Sequence, residues 1–220
     1  MEQLNEIALI IALTMGTAWA AGINLYAAIL VLGILGSTGN IHLPPDLQIL
    51  MDPLVLGAAG IMYAVEFFAD KVPGLDNGWD ALHTFIRIPA GALMAAGAVG
   101  DINPALAVAA AILGGGIAAG THVVKAGTRV MINTSPEPFS NIATSLTEDL
   151  LVVFGLWTAL QHPWFFILLM VVFLLFLVWV LPKIWKAVKI VFSKIVGFFK
   201  GTKQPDNALQ LMSNQKKIES

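Results

Sequence analysis

Apolar residues run in long stretches along this chain, and polar residues gather between them. The first stretch covers residues 7–35 and is interrupted by Gly16, Gly22 and Gly33 and by the polar Asn24 and Tyr26. About 20 apolar residues cross a bilayer as a helix, so this run predicts one long span. Tilting accommodates the excess length, and an intact tilted helix is the reading adopted here; Gly16-Thr17 and Gly22-Ile23-Asn24 are the alternative break points. Residues 37–52 (STGNIHLPPDLQILMD) predict a loop stopped by Pro44 and Pro45, with 47–51 as one interfacial turn. A second span follows over 53–69, opening on Pro53, and Val72-Pro73-Gly74 predicts a turn. The third span covers 81–100, with Pro89 kinking it near 85–88. Asn103 is placed to cap a fourth helix opening at Pro104. That span runs from Ala105 into the 120s through Gly114, Gly115, Gly116 and Gly120, small residues that let helix backbones meet in a membrane. Pro136 and Pro138 force irregular chain before a fifth span that ends near 160. A sixth, over 164–181, is uniformly apolar.

The pattern changes after Pro182. Lys183, Lys186, Lys189, Lys194 and Lys200 recur among Ile, Val, Trp and Phe. This spacing predicts an amphipathic helix on the membrane surface, its lysines directed to anionic lipids. The fold expected is therefore all-α. A polytopic transmembrane bundle of about six spans occupies residues 1–181, the amphipathic surface helix 182–200, and a flexible cytoplasmic tail 201–220.

Composition agrees. The chain is 57% hydrophobic and 12% charged, against about 25% charged in soluble domains, and its mean hydropathy is +0.80. Cysteine is absent, which excludes disulfides and thiolate metal sites. The first residues, MEQLNEIA, lack the basic segment of a signal peptide, so the first apolar run reads as a retained span. Before residue 182 the basic residues are Lys71, Arg87, Lys125 and Arg129; the loops at 37–52, 101–103 and 161–162 hold none. By the positive-inside rule, six spans then place both termini in the cytoplasm of a bacterial inner membrane.

Most remaining charge sits in two stretches, YAVEFFADKVPGLDNGWDALHTFIRIPAG (63–91) and THVVKAGTRVMINTSPEPFSNIATSLTED (121–149). Helical spacing of three and four places Glu66 with Asp70, Asp80 with His83 and Arg87, and His122 with Lys125 and Arg129 on shared faces. Asn141, Ser145, Glu148 and Asp149 continue a polar face inward. Ionisable groups at membrane depth face protein or a cavity. The predicted cavity lining is Glu66, Asp70, Asp76, Asp80, His83 and Arg87 on one side, and His122, Lys125, Arg129, Asn133, Glu137, Asn141, Glu148 and Asp149 on the other.

Three functions fit such a lining. The first is a transporter or ion-coupled carrier of a small solute, with carboxylates and histidine carrying protons. The second is a metal-dependent membrane enzyme acting on a lipid phosphate. There a hard divalent cation would be the cofactor, held by Glu66, Asp70, Asp80 and His83, with the phosphate on Arg87, Lys125 and Arg129. The third is a membrane scaffold or assembly factor with a structural ion-pair network. No HExxH, phosphate-binding loop, GxSxG or dinucleotide motif is present. The lysines lie on an amphipathic helix rather than a soluble basic face, so nucleic acid is not an expected partner. Six spans are few for a transporter, so a homodimer is expected.

The strings GINLYAAILVLG, EFFADKVPGLDNGWDALHTFIRIPAGA, THVVKAGTRVMINTSPEPFSN and SLTED occur here in that order. Over about 16–149 the chain resembles a bacterial family of multi-pass membrane proteins known as domain of unknown function 4126. The resemblance implies a small helical membrane protein and carries no catalytic role to any residue. The apolar sixth span and the lysine-rich tail lie outside the resembling region.

Overall fold

The computed structural model of the protein describes residues 1–72, 75–132 and 138–199, with side chains for all of these except 76, 77, 101, 138, 187, 188 and 190–199. Among the described residues every regular element is helical. The order is α1 (Glu2–Ser37), a 3₁₀ helix (Pro45–Met51), α2 (Pro53–Ala69), α3 (Leu75–Val99), a 3₁₀ turn (Gly100–Ile102), α4 (Pro104–Ile132), α5 (Pro138–Gln161) and α6 (Pro163–Phe199). Five helices are long and apolar enough to cross a membrane, or six if the 3₁₀ helix and α2 count as one span bent by 65°. The protein is an all-α, multi-pass membrane bundle. The predicted second span is too short to cross by itself. At 17 residues α2 is about 26 Å long, against a hydrocarbon core of about 30 Å.

The chain forms two compact units, Met1–Leu181 and Pro182–Ser220. The first is the bundle. In the second the described residues are helical to Phe199, and Lys189 Nζ stands 5.6 Å from the centre of the Trp185 ring.

Local chemistry explains the helix boundaries. Asp52 accepts a hydrogen bond from the Leu54 N–H at 2.7 Å, with Pro53 opening α2. Asn103 does the same for Ala105 at 2.7 Å, ahead of Pro104, as its position in the sequence predicts. Gly100, at φ +65°, provides the left-handed residue that ends α3. The 3₁₀ helix corrects the expected interfacial turn. It turns Leu47 and Leu50 into the core with Leu32, Leu43 and Met94.

The packing centre is α1. Its apolar window is 67% buried, more than that of any other candidate span. Ala12, Gly16, Ala18, Ala20, Ala21 and Gly22 are buried along it, and these small side chains let α3, α4 and α5 close around it. In the bundle α3 lies chiefly against α4, and α1 touches α2, α3, α4 and α5.

An intact tilted first span is also overturned. Asn24 has extended backbone, φ −145° and ψ 99°, inside α1. Neighbours show where each half goes. Ile7, Ile10 and Ile11 border the same cavity as Val99, Ile102 and Leu106, and Trp164 Nε1 donates to Asn5 Oδ1 at 3.1 Å. At the break, Asn24 meets Asp149 of α5 and Ile23 meets Lys125 of α4. The second half then returns. Tyr26 meets His83, Gly33 lies against Leu50 and Leu56, and Leu47 lies against Gly97. The two ends of α1 thus lie at one end of the bundle, with the 100–103 and 161–163 connections. The polar partners that make this reversal affordable come from α4 and α5, more than a hundred residues away in sequence.

Candidate functional site: a charged cluster at the break in α1

Four helices deliver charge to the turn in α1. Glu66 and Asp70 close α2, Asp80 and Arg87 lie in the first half of α3, Lys125 and Arg129 near the end of α4, and Glu148 in α5. Glu148 is ten residues into its helix and Arg87 twelve into its own, about 15 and 18 Å along the axis. Asp70 caps the end of α2, and Arg129 lies three residues from the end of α4, so the cluster extends inward from the helix ends beside the turn in α1. All seven side chains are buried, with Glu66, Arg87 and Arg129 at 0% exposure.

They form one connected network. Arg87 contacts Glu66 at 2.6 Å and Asp80 at 3.2 Å. Lys125 stands at the centre, 3.4 Å from Glu66, 3.2 Å from Asp70, 3.7 Å from Asp80 and 3.3 Å from Glu148. Arg129 grips Glu148 through two nitrogens, at 2.6 and 3.2 Å, reaches Asp70 Oδ2 at 3.2 Å, and donates to the Asp70 carbonyl at 2.9 Å. Buried charge is tolerated only when paired in this way, because each ion left alone costs several kcal/mol. The pairing is incomplete. Four carboxylates face three cations, and Glu66 Oε2, Asp70 Oδ1, Asp80 Oδ2 and Arg87 Nε have no partner among the described residues.

The break in α1 is built into this network. The Ile23 carbonyl accepts from Lys125 Nζ at 3.0 Å, so an ammonium meets the C-terminal end of the first half-helix. Asn24 Oδ1 accepts from the Ala27 N–H at 3.0 Å and caps the second half. Asn24 Nδ2 donates to Asp149 Oδ1 at 3.0 Å, and Tyr63 donates to Asp149 Oδ2 at 2.9 Å. Cation at a helix C-terminus and carboxylate near a helix N-terminus are the favourable arrangement for both half-helix dipoles.

The histidines have defined roles. Arg87 Nη1 donates to His122 Nδ1 at 3.1 Å, so that nitrogen carries a lone pair. His122 Nε2 then holds the hydrogen, directed at the Asp80 carbonyl (3.1 Å) and the Thr84 hydroxyl (2.7 Å). His83 stands apart from the carboxylates. It is stacked on Trp79, with Nδ1 at 2.9 Å from the Trp79 carbonyl and Nε2 at 3.1 Å from the Tyr26 hydroxyl. Outside the spans, Lys71 stands over the Phe67 ring and donates to the Phe67 carbonyl at 2.9 Å. Partial burial lowers its pKa, and the Asp149 and Asp70 carboxylates oppose that effect.

Of the residues proposed from sequence, the structure brings together Glu66, Asp70, Asp80, Arg87, His122, Lys125, Arg129 and Glu148, with Asp149 attached through Asn24. Asn141 is buried on α5. Asp76 lies in α3 with its side chain outside the described residues, and Asn133 and Glu137 lie outside them altogether. Glu66, Asp70, Asp80 and His83 do not assemble as a metal site. Among the described residues no group of three or more Asp, Glu or His is placed to hold a metal ion. Reading by charge missed Tyr63 and Thr84, and the Ile23 carbonyl. The Gly22-Ile23-Asn24 string was the signal for the last.

The family described as Domain of unknown function (DUF4126) matches residues 11–183. The chain belongs to the DUF4126 family. The match covers every residue of the cluster and α1 from residue 11 onward, including the break at Asn24. It also takes in the apolar stretch at 164–181, which the sequence resemblance had left outside. No curated protein and no solved structure matches this DUF4126 chain.

Proposed function

We propose that this membrane protein is an ion-coupled carrier of a small solute in a bacterial inner membrane. The observation that carries the reading is the break in α1 at Asn24, seated on a buried cluster with more acids than bases. Interrupted helices whose half-helix ends and freed carbonyls face polar groups at the bilayer midplane are a recurring basis of solute and ion sites. A purely structural network is better served by matched charge, since every unpaired buried ion is destabilising. The lipid-phosphate enzyme has less support. Arg87, Lys125 and Arg129, the cations expected to hold the phosphate, are each engaged by carboxylates.

The carrier reading is tested without knowing the solute. The chain has no cysteine, so Ser145→Cys, buried on the polar face of α5, introduces a unique thiol. A carrier that opens to each face in turn is expected to let a membrane-impermeant maleimide reach this thiol both in spheroplasts and in inverted vesicles. A thiol unreactive from both sides would remove the carrier and leave the structural network.

The same approach tests orientation. The bundle end with residues 2–6, 37–52 and 100–103 carries Glu2, Glu6, Asp46, Asp52 and Asp101 and no Lys or Arg, and Lys71, Arg87, Lys125 and Arg129 all lie toward the other. By the positive-inside rule the cytoplasm is on the Lys71 side. Because α1 turns back, the N-terminus then lies outside, opposite to the placement expected from six simple crossings. Gln3→Cys and Thr38→Cys are expected to react in intact spheroplasts, and Lys71→Cys only after permeabilisation. Protection of Gln3→Cys in intact spheroplasts would overturn the reversed path.

A further inference from the structure

We infer that the charged cluster holds one dissociable proton on Glu66, Asp70 or Asp80. Calling that proton the coupling ion rests on the carrier reading; its presence does not.

Three observations converge. The first is charge. Within Met1–Leu181 the lysines and arginines are Lys71, Arg87, Lys125 and Arg129, and Lys71 acts on Asp149 and Asp70. These four cations stand against five carboxylates, Glu66, Asp70, Asp80, Glu148 and Asp149, which leaves one surplus negative charge. The second is the state of the histidines. His122 accepts from Arg87 through Nδ1, so it is neutral. His83 makes its two contacts, to the Trp79 carbonyl and the Tyr26 hydroxyl, away from the carboxylates and pairs with none of them. The third is that the surplus is localised. Both Glu148 oxygens are bound by Arg129, and both Asp149 oxygens by Asn24 and Tyr63. Glu66, Asp70 and Asp80 each keep one buried oxygen without a partner among the described residues.

A buried carboxylate without a counter-ion takes up a proton or binds a cation. A metal ion needs several oxygens converging on one point, and no three acidic or histidine groups among the described residues do so. A proton needs one. A proton on one of these oxygens removes the surplus negative charge.

Infrared difference spectroscopy of the purified full chain in nanodiscs at neutral pH reads this directly. The protein is expected to show the carbonyl stretch of a protonated carboxyl, shifted in D₂O, and to lose it in at least one of Glu66→Gln, Asp70→Asn and Asp80→Asn. Three variants are used so that a folding failure in one leaves the others informative, and the unsubstituted protein is a test by itself. Absence of the band from the unsubstituted protein overturns the inference, whether or not sodium or potassium stabilises the fold. A band unaffected by all three substitutions overturns it as well, since the proton would then lie elsewhere. Thiol accessibility at Ser145→Cys is a separate readout, so loss of the carrier reading and loss of the proton site are distinguishable.

Discussion

Lys125→Met is expected to destabilise the bundle by about 3–5 kcal/mol, the range for removing one partner from a buried charge network. Lys125 contacts four carboxylates and the Ile23 carbonyl. Methionine has comparable length and volume but carries no charge, so packing is largely retained while four carboxylates are left with two arginines. The freed Ile23 carbonyl also loses its acceptor role at the break. Denaturation in mild detergent, followed by tryptophan emission, measures the loss. Adding Glu66→Gln restores the original charge difference and is expected to recover part of the stability, because the two residues are coupled and their effects do not add. If Lys125→Met matches the unsubstituted protein in stability, the cluster is hydrated rather than dry, and its ion pairs hold nothing together.

The second large effect is expected at Gly22. A Cβ there would lie 2.6 Å from the Ala118 carbonyl oxygen and 2.7 Å from the Thr121 Cβ. One obstacle is backbone and the other is a β-carbon, so no flexible side-chain end can move aside. Gly22→Ala is expected to separate α1 from α4 and to cost about 1–3 kcal/mol, the usual penalty for overpacking a close contact. Ile23 is the next residue, so the displacement also draws the carbonyl away from Lys125. Gly116→Ala on α4, which meets nothing within 4 Å, is the control and is expected to leave stability unchanged or slightly raised. Equal melting temperatures for Gly22→Ala and Gly116→Ala would show that α1 and α4 are not held in close contact at this point.

Membrane class and most helix boundaries were legible because they depend on neighbours in sequence. Apolar runs of span length, Pro53 and Pro104 at helix starts, and the cap at Asn103 are local signals that tertiary context had no reason to override. The residues of the charged cluster were legible too, since ionisable groups in an apolar chain are few and costly. Their grouping by helix face brought Glu66, Asp80, Arg87, Lys125, Arg129 and Glu148 into one site before any coordinates.

What the sequence could not settle was the path of α1 and the arithmetic of the site. An apolar run over residues 7–35 is equally consistent with a tilted rod and with two halves turned against one another. The choice depends on whether Ile23 and Asn24 find hydrogen-bond partners once they leave the helix. Lys125 and Asp149 provide them across more than a hundred residues. His83 shows the same limit: its spacing from Asp80 puts both on one helical face, but Trp79 and Tyr26 claim its two nitrogens. Sequence by itself determined that this is a multi-pass helical membrane protein with a costly charged centre, because hydrophobic length and charge are properties of each segment alone. Only the tertiary structure decided that the first helix turns back on that centre and that one carboxylate there is unmatched, because both depend on which distant groups meet.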